Sequence, residues 1–405
     1  LRILTIITRR TLLLLLCSLC HAQEVKPHVL LVSIDGFRHD YADKFGAKHL
    51  LELREKGASA EALIPVFPST TFPNHYSIVT GLYPARHGLV DNRFWDPARK
   101  EYFFFKDPKN AGDGSWFNGT PLWSLAEKAG IRTATMHWVG SEAEIARARP
   151  TSWSRFDGSL TPDQRVDRVL GWLRLPEPQR PRFIALYFDD VDKSGHRYGP
   201  DAPQTRAAVL SVDAAIGRLL RDTPIPLNVV VTSDHGMMTL AGEPIYIGDI
   251  TDLKGFEVAA NGSNVMLYSS DAALVDRTYK ALKASGAPID VYRRAEIPEH
   301  WHYSGSNRIG DLLLVSRVAR IISNRRPPPD AGSHPLPAAT HSFDPARFPD
   351  MLGIFYASGP NIRRGARLKS FENVHIYPLL ARILGLTPPS DIDSRSAVLE
   401  FLYVR

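Results

Sequence analysis

Three short apolar runs, each followed by aspartates, constrain this chain more than any other feature. Residues 29–34 (VLLVSI) run into Asp35-Gly36, and residues 183–188 (FIALYF) run into Asp189, Asp190 and Asp192. Residues 227–231 (LNVVV) run into Thr232-Ser233-Asp234-His235-Gly236. Apolar runs of this length without polar alternation read as strands buried on both faces, as in a parallel sheet covered by helices. In such sheets a ligand site lies beyond the carboxyl ends of the strands, so acids far apart in sequence can converge. Helical patterns at 121–128, 163–173 and 207–220 lie between the runs, and residues 131–139 read as a further strand. The expected fold class is α/β, a central mostly parallel sheet flanked by helices. Between 243 and 322 the texture changes. Strand-like pieces at 265–268, 289–292 and 311–315 flank one helix at 272–284, which predicts a small inserted α+β subdomain. The main domain is then expected over 23–242 and 323–405, with the proline-rich 325–337 as the returning loop.

The first 22 residues read as a secretory signal: Arg9-Arg10 precede the apolar run Leu12 to Leu16, and Cys20-His21-Ala22 ends in a small residue. The apolar run falls short of the roughly 20 residues that span a bilayer, so no transmembrane anchor is expected in the mature form. A periplasmic or secreted protein follows. Both cysteines, Cys17 and Cys20, lie in this leader, which excludes a disulfide framework, a thiolate metal site and a cysteine-derived nucleophile from the mature chain. The full chain carries 49 basic and 43 acidic residues; removing Arg2, Arg9 and Arg10 leaves 46 against 43, a net +3. That balance tolerates an anionic substrate and does not describe a nucleic-acid-binding surface. Asn118-Gly119-Thr120 and Asn261-Gly262-Ser263 fit the N-glycosylation pattern.

Residues 65–92, PVFPSTTFPNHYSIVTGLYPARHGLVDN, place Ser69, Thr70 and Thr71 just ahead of a helix-like run at 74–80. A hydroxyl at a helix N-terminus meets free N–H groups and a positive potential, which favour an anionic substrate and a developing alkoxide. Ser and Thr are also ordinary helix N-caps, and this stretch alone does not separate the two readings. The strand-end acids supply further context. Asp35, Asp192, Asp234, His196, His235 and His341 give three carboxylates and three imidazoles, enough donors of the type zinc prefers for two ions. Two ions about 4 Å apart can stabilise the attacking and leaving oxygens of a phosphoryl transfer and activate a threonine hydroxyl. His75 and His87 read as bonded to backbone, and the aromatic run 94–105 reads as packing.

The segments SIDGFR, FPSTTFPNHYSIVTGLYPARHG, LYFDDVDKSGHRYGP, TSDHGM and ATHSFD together resemble the nucleotide pyrophosphatase/phosphodiesterase family of the alkaline phosphatase superfamily. The resemblance covers most of the mature chain and implies an alkaline phosphatase-like fold and two Zn2+ per chain. It implies that Thr71 is the nucleophile, that Asp35, Thr71, Asp234 and His235 hold one zinc, and that Asp192, His196 and His341 hold the other. By the same resemblance Asn92 bonds a phosphate oxygen, and Phe72 and Tyr187, with Phe156 as a further position, form aromatic walls around a nucleobase. The implied reaction is hydrolysis of phosphodiester or pyrophosphate bonds in nucleotides, releasing nucleoside monophosphates through a phosphothreonine intermediate. The implied partner is a small-molecule nucleotide or phosphodiester. A lipid-headgroup or glycerophosphodiester phosphodiesterase, a phosphomonoesterase and a catalytically silent ligand-binding module are the alternatives. The chain departs from the family pattern in having Val191 where a proline is usual, Ala339 and Ser342 where glycines are usual, and Pro345 for an asparagine.

Overall fold

The computed structural model describes residues 26–327 and 336–405, so the leader expected over 1–22 and most of the 325–337 loop lie outside the described residues. The three runs are adjacent strands at the centre of an eight-stranded sheet. Its order is 367–368, 58–60, 355–358, 228–232, 29–34, 183–188, 133–136, 152–154. Val29–Ile34 pairs in parallel with Phe183–Phe188 on one side and Asn228–Thr232 on the other, with Ile34 opposite Phe188 and Ser33 opposite Thr232. All three therefore end at the same edge. Phe355–Ser358 runs antiparallel to Asn228–Thr232, so the sheet is mixed and mostly parallel, as expected.

Every residue of Val29–Ile34 is buried, which is why that run shows no polar alternation. Leu30, Val32 and Ile34 face a layer built from the helices Lys48–Lys56, Pro162–Leu173 and Pro203–Asp222. Val29 and Leu31 face the opposite layer, which includes the helices Thr71–Thr80 and Ile376–Ile383. Each fully buried Val, Leu or Ile contributes about 2 kcal/mol of hydrophobic stabilisation. This three-layer core fixes the edge on which the acids stand.

A second sheet of four antiparallel strands runs in the order Glu257–Asn261, Asn264–Tyr268, Leu312–Ser316, Ile289–Arg293. The helix Ala272–Ala284 packs on it, capped by Asp271, whose carboxylate accepts from the N–H groups of Ala273 and Leu274. Val265, Leu267, Val291, Leu314 and Leu282 form its own small core. Among the described residues no helix is long and apolar enough to cross a membrane.

Two elements differ from expectation. The strand after the 121–128 pattern covers only Thr133–Met136, because His137 takes a positive φ of 65° that an extended chain cannot continue through. Residues Asp190–Tyr198 form a helix that their polar composition conceals. Asp190 and Asp192 lie in its first turn, where the helix dipole favours anions. Val191 is its buried anchor.

Candidate active site

The helix Thr71–Thr80 begins at Thr71, with Thr70 at the N-cap in an extended conformation and making no side-chain cap bond. The three hydroxyls have separate fates. Ser69 donates to the Phe343 carbonyl at 2.7 Å, and Thr70 Oγ1 is buried with no partner among the described residues. Thr71 Oγ1 lies 3.4 Å from His235 Nε2. The cap comes instead from Asn92, whose Oδ1 accepts from the Phe72 N–H at 2.9 Å. This orientation leaves the Asn92 Nδ2 group as a donor at the same helix end. The loop before the helix is fixed by Asn74, which accepts from the Val66 N–H and donates to the carbonyls of Pro68 and Thr70.

The strand-end acids converge opposite this helix. His235 Nε2 lies 3.1 Å from Asp234 Oδ2 and 3.4 Å from Asp35 Oδ1. Asp192 Oδ1 lies 3.4 Å from His196 Nε2, one turn along the 190–198 helix, and 3.9 Å from His341 Nε2. Each of the three imidazoles has its Nδ1 on a carbonyl at 2.9 Å: His196 on Ala339, His235 on Gly236 and His341 on Ser69. Those contacts fix the ring orientations and turn all three Nε2 atoms inward, the arrangement by which backbone carbonyls orient metal-binding histidines. Gly36 makes this approach possible: it takes a φ of +67°, and a Cβ there would sit 2.9 Å from Asp192 Cα.

Asp35 Oδ1, Asp192 Oδ1 and Asp234 Oδ2 are buried and accept no hydrogen bond among the described residues. Buried carboxylate oxygens without partners are costly, and a cation shared between them removes the cost. Two groups have donor atoms close enough to share an ion, Asp192 with His196 and His341, and Asp35 with Asp192 and His235. The electrostatics agree. Burial, with the Asp234 and Asp192 carboxylates, pushes the Asp35 carboxyl well above its usual range. Burial acts on Asp234 the same way, but His235 and His75 outweigh it and hold that carboxyl below the usual range. Burial together with His235 and His196 drives His341 well below an ordinary imidazole, so its Nε2 offers a lone pair. Carboxylate and neutral imidazole donors of this kind fit divalent zinc.

Residues 29–344 match the family model described as type I phosphodiesterase / nucleotide pyrophosphatase. The chain belongs to that family. Its relatives include an uncharacterized pyrophosphatase/phosphodiesterase of Schizosaccharomyces pombe, 35% identical over 379 residues, covering 88% of this chain and 77% of the relative. A bis(5′-adenosyl)-triphosphatase of Xenopus laevis is 32% identical over 373 residues, covering 89% of this chain and 78% of the relative. Among solved structures, the inactive threonine-to-alanine variant of murine ectonucleotide pyrophosphatase/phosphodiesterase 5 in complex with AMP is 26% identical. It superposes with a TM-score of 0.86 and covers 94% of this chain and 100% of that one. Membership of this alkaline phosphatase-superfamily branch makes the protein a metal-dependent hydrolase.

Within this family frame the aromatic positions fall into two kinds. Phe156 is 47% exposed and Phe72 is half-buried, packed against Phe103 and Phe105. Tyr187 is only 7% exposed, its hydroxyl donates to Asp35 Oδ2, and its ring meets His75 edge-on at 5.0 Å. Of the run 94–105, Phe94 and Phe103 do stack in the core at 4.9 Å. Phe104 and Phe105 instead line a cavity of about 260 Å³ together with Asn92, Arg93, Asn261 and His341. His75 bonds the Thr71 carbonyl and Ser33 Oγ, and its Nδ1 also stands 3.3 Å from Asp234 Oδ2 beneath the site. Asn261 uses both ends of its amide on the Arg93 backbone.

Asp91 escaped the sequence reading, having only its place before Asn92 as a signal. It is fully buried, accepts from the Asn92 N–H at 2.7 Å, and its other oxygen has no partner among the described residues. Burial raises its carboxyl to about 7. A folded-state value above the unfolded one means that the native protein binds the extra proton, so this stabilisation is full below pH 4 and is lost as pH rises through 7. Asp91→Asn, which keeps the Asn92 bond, is expected to remove at most about 4 kcal/mol of pH dependence across that window. Urea unfolding of both proteins from pH 4 to 8 measures it; parallel curves would refute it.

Proposed function

We propose that this enzyme hydrolyses phosphodiester or pyrophosphate bonds of nucleotides and releases nucleoside monophosphates, with Thr71 as nucleophile. The observation that carries the reading is the position of Thr71 Oγ1 at a helix N-terminus, beside His235 and facing two groups of inward-turned donors. Asp35, Thr71, Asp234 and His235 would hold one Zn2+, and Asp192, His196 and His341 the second. When bound, such a pair supplies Lewis-acid charge that eases deprotonation of the hydroxyl and stabilises the departing oxygen.

The side chains divide the remaining work. Thr71 Oγ1 attacks phosphorus in line, the bond to the leaving oxygen breaks, a phosphothreonine ester forms, and the hydroxyl proton ends on the departing oxygen or in solvent. The Asn92 Nδ2 group and the Thr71 backbone N–H, the one first-turn donor not already engaged among the described residues, donate to the non-bridging oxygens. Water then attacks from the side the leaving group vacated, and the Thr71 oxygen departs with a proton. Phe72 and Phe156 offer ring faces to the base, while Tyr187 orients Asp35 through its hydroxyl. The cavity lined by Arg93, Phe104 and His341 receives the leaving portion. The AMP bound to the murine neighbour, and the threonine-to-alanine change in that inactive protein, support a nucleotide product and a threonine nucleophile. The leader supports action outside the cytoplasm, which N-terminal sequencing of the mature protein tests.

The p-nitrophenyl ester of thymidine 5′-monophosphate is expected to turn over at least tenfold better than p-nitrophenyl phosphate, with activity lost to a chelator and restored by zinc. Asn92 is neutral and adds no positive charge for a monoester's second negative charge. A chiral thiophosphate diester should react with net retention, since two in-line displacements invert twice. Monoester preference would move the protein to a phosphatase role, and inversion would exclude the covalent intermediate.

A further inference from the structure

The short loop that displays Phe156 is tied to the helix that carries two of the proposed metal ligands. On that helix, Lys193 lies between Asp192 and His196 in sequence and points to the loop. Its Nζ donates to the Gly158 carbonyl at 3.2 Å and lies 5.9 Å from the centre of the Phe156 ring, within cation–π range. The fit is close, for a Cβ on Gly158 would sit 2.9 Å from Lys193 Nζ and 3.4 Å from Phe156 Cε1. The ammonium is itself anchored by Asp189, at 2.5 Å, and Asp189 is held by the buried Arg165 at 2.7 Å. Asp189 directly follows the strand whose Tyr187 bonds Asp35. Two further contacts fix the loop: the Phe156 N–H donates to Glu142, and the Asp157 N–H meets His137 Nε2 at 3.3 Å.

We propose that Lys193 is a positioning residue for substrate selection, setting the Phe156 ring relative to the metal-binding helix and favouring substrates whose retained group is an aromatic nucleoside. This rests on the reading of Phe156 as a wall of the base site. Its logic is geometric. The exposed Phe156 ring is held by a loop, and loops define a stacking surface only when their backbone is fixed. Lys193 fixes that backbone from the same helix that carries Asp192 and His196 into the metal groups. Glu142 and His137 hold the start of the loop to the body of the domain, and Lys193 alone of these contacts ties it to the helix that carries the metal ligands. Removing the clamp lets the ring wander and weakens stacking, while leaving Thr71 and Asn92 where they are.

Two esters that share p-nitrophenol as leaving group isolate the retained side: thymidine 5′-monophosphate p-nitrophenyl ester and methyl p-nitrophenyl phosphate. Wild type is expected to prefer the nucleotide through KM. Lys193→Met should erode that preference about fivefold, through a higher KM for the nucleotide with kcat shifted less than twofold and the zinc-to-protein ratio unchanged. Lys193→Arg, which keeps a cationic donor, should recover part of it. A Lys193→Met enzyme that keeps the wild-type preference within twofold overturns the inference while Phe156→Ala still shows the wall to matter. Equal loss of kcat on both esters, with loss of zinc, also overturns it, because Lys193 would then only hold up the helix. If wild type and Phe156→Ala treat the two esters alike, the base-site reading fails and the inference falls with it.

Discussion

Thr71→Ala is expected to lower kcat on the thymidine p-nitrophenyl ester by about 10⁴-fold or more, with the folded protein and its metal content nearly unchanged. The size of the loss follows from chemistry. Alanine removes the attacking atom, and a water in its place lacks the placement that the first residue of a rigid helix gives Thr71 Oγ1. The helix itself survives, because Thr70 holds the N-cap position and Asn92 supplies the side-chain cap on the Phe72 N–H. The structural cost is limited to a hydroxyl and a buried methyl group, on the order of 1 kcal/mol. Thr71→Ser keeps the nucleophile and should retain activity within about 100-fold, the conservative change that separates loss of chemistry from loss of shape. Steady-state kinetics beside metal analysis decides the matter. Residual turnover above a hundredth of wild type in the alanine variant would reassign the nucleophile.

The strand ends were legible because burial on both faces leaves a plain mark: runs such as VLLVSI and FIALYF have no polar alternation, and Asp35 and Asp189 stand where they stop. The helix Ala272–Ala284 was legible for the same local reason, its Asp271 cap and apolar spacing being written in adjacent residues. The sequence is silent where position depends on partners hundreds of residues away. Tyr187 reads as an aromatic wall until its hydroxyl is found on Asp35, 152 residues distant. His75 reads as a backbone-bonded histidine, which it is, but its approach to Asp234 comes only from the stacking of helix on sheet. Ser342 stands where the family pattern expects glycine, and it adopts a φ of +80°. That backbone costs a non-glycine residue about 1 kcal/mol, which its bonds to Asn261 and Ser263 offset. Those partners sit on the inserted sheet. No local pattern connects them to His341.

Asp192→Asn is expected to weaken both metal positions rather than one. The family resemblance assigns Asp192 to a single zinc with His196 and His341. The geometry gives it a wider reach, because it shares donor distance with those histidines and also with Asp35 and His235. Its Oδ1 is buried without a hydrogen-bond donor, so the negative charge there is balanced by a cation or not at all. Asparagine preserves the volume and the seat of Asp192 against Gly36 but removes the charge, and an amide is a poor zinc donor. Dialysed protein should then retain well under one equivalent of zinc, with kcat reduced at least about 10³-fold, since stabilisation of both oxygens of the displacement depends on the pair. His196→Gln gives the contrast. His196 stands only in the group away from Asp35 and its side chain is 31% exposed, so its loss should leave the ion nearest Thr71 bound. Metal analysis of the two variants side by side separates the cases: one zinc lost from each would confine Asp192 to the second position, and two retained with near-normal turnover would remove it from the metal centre altogether.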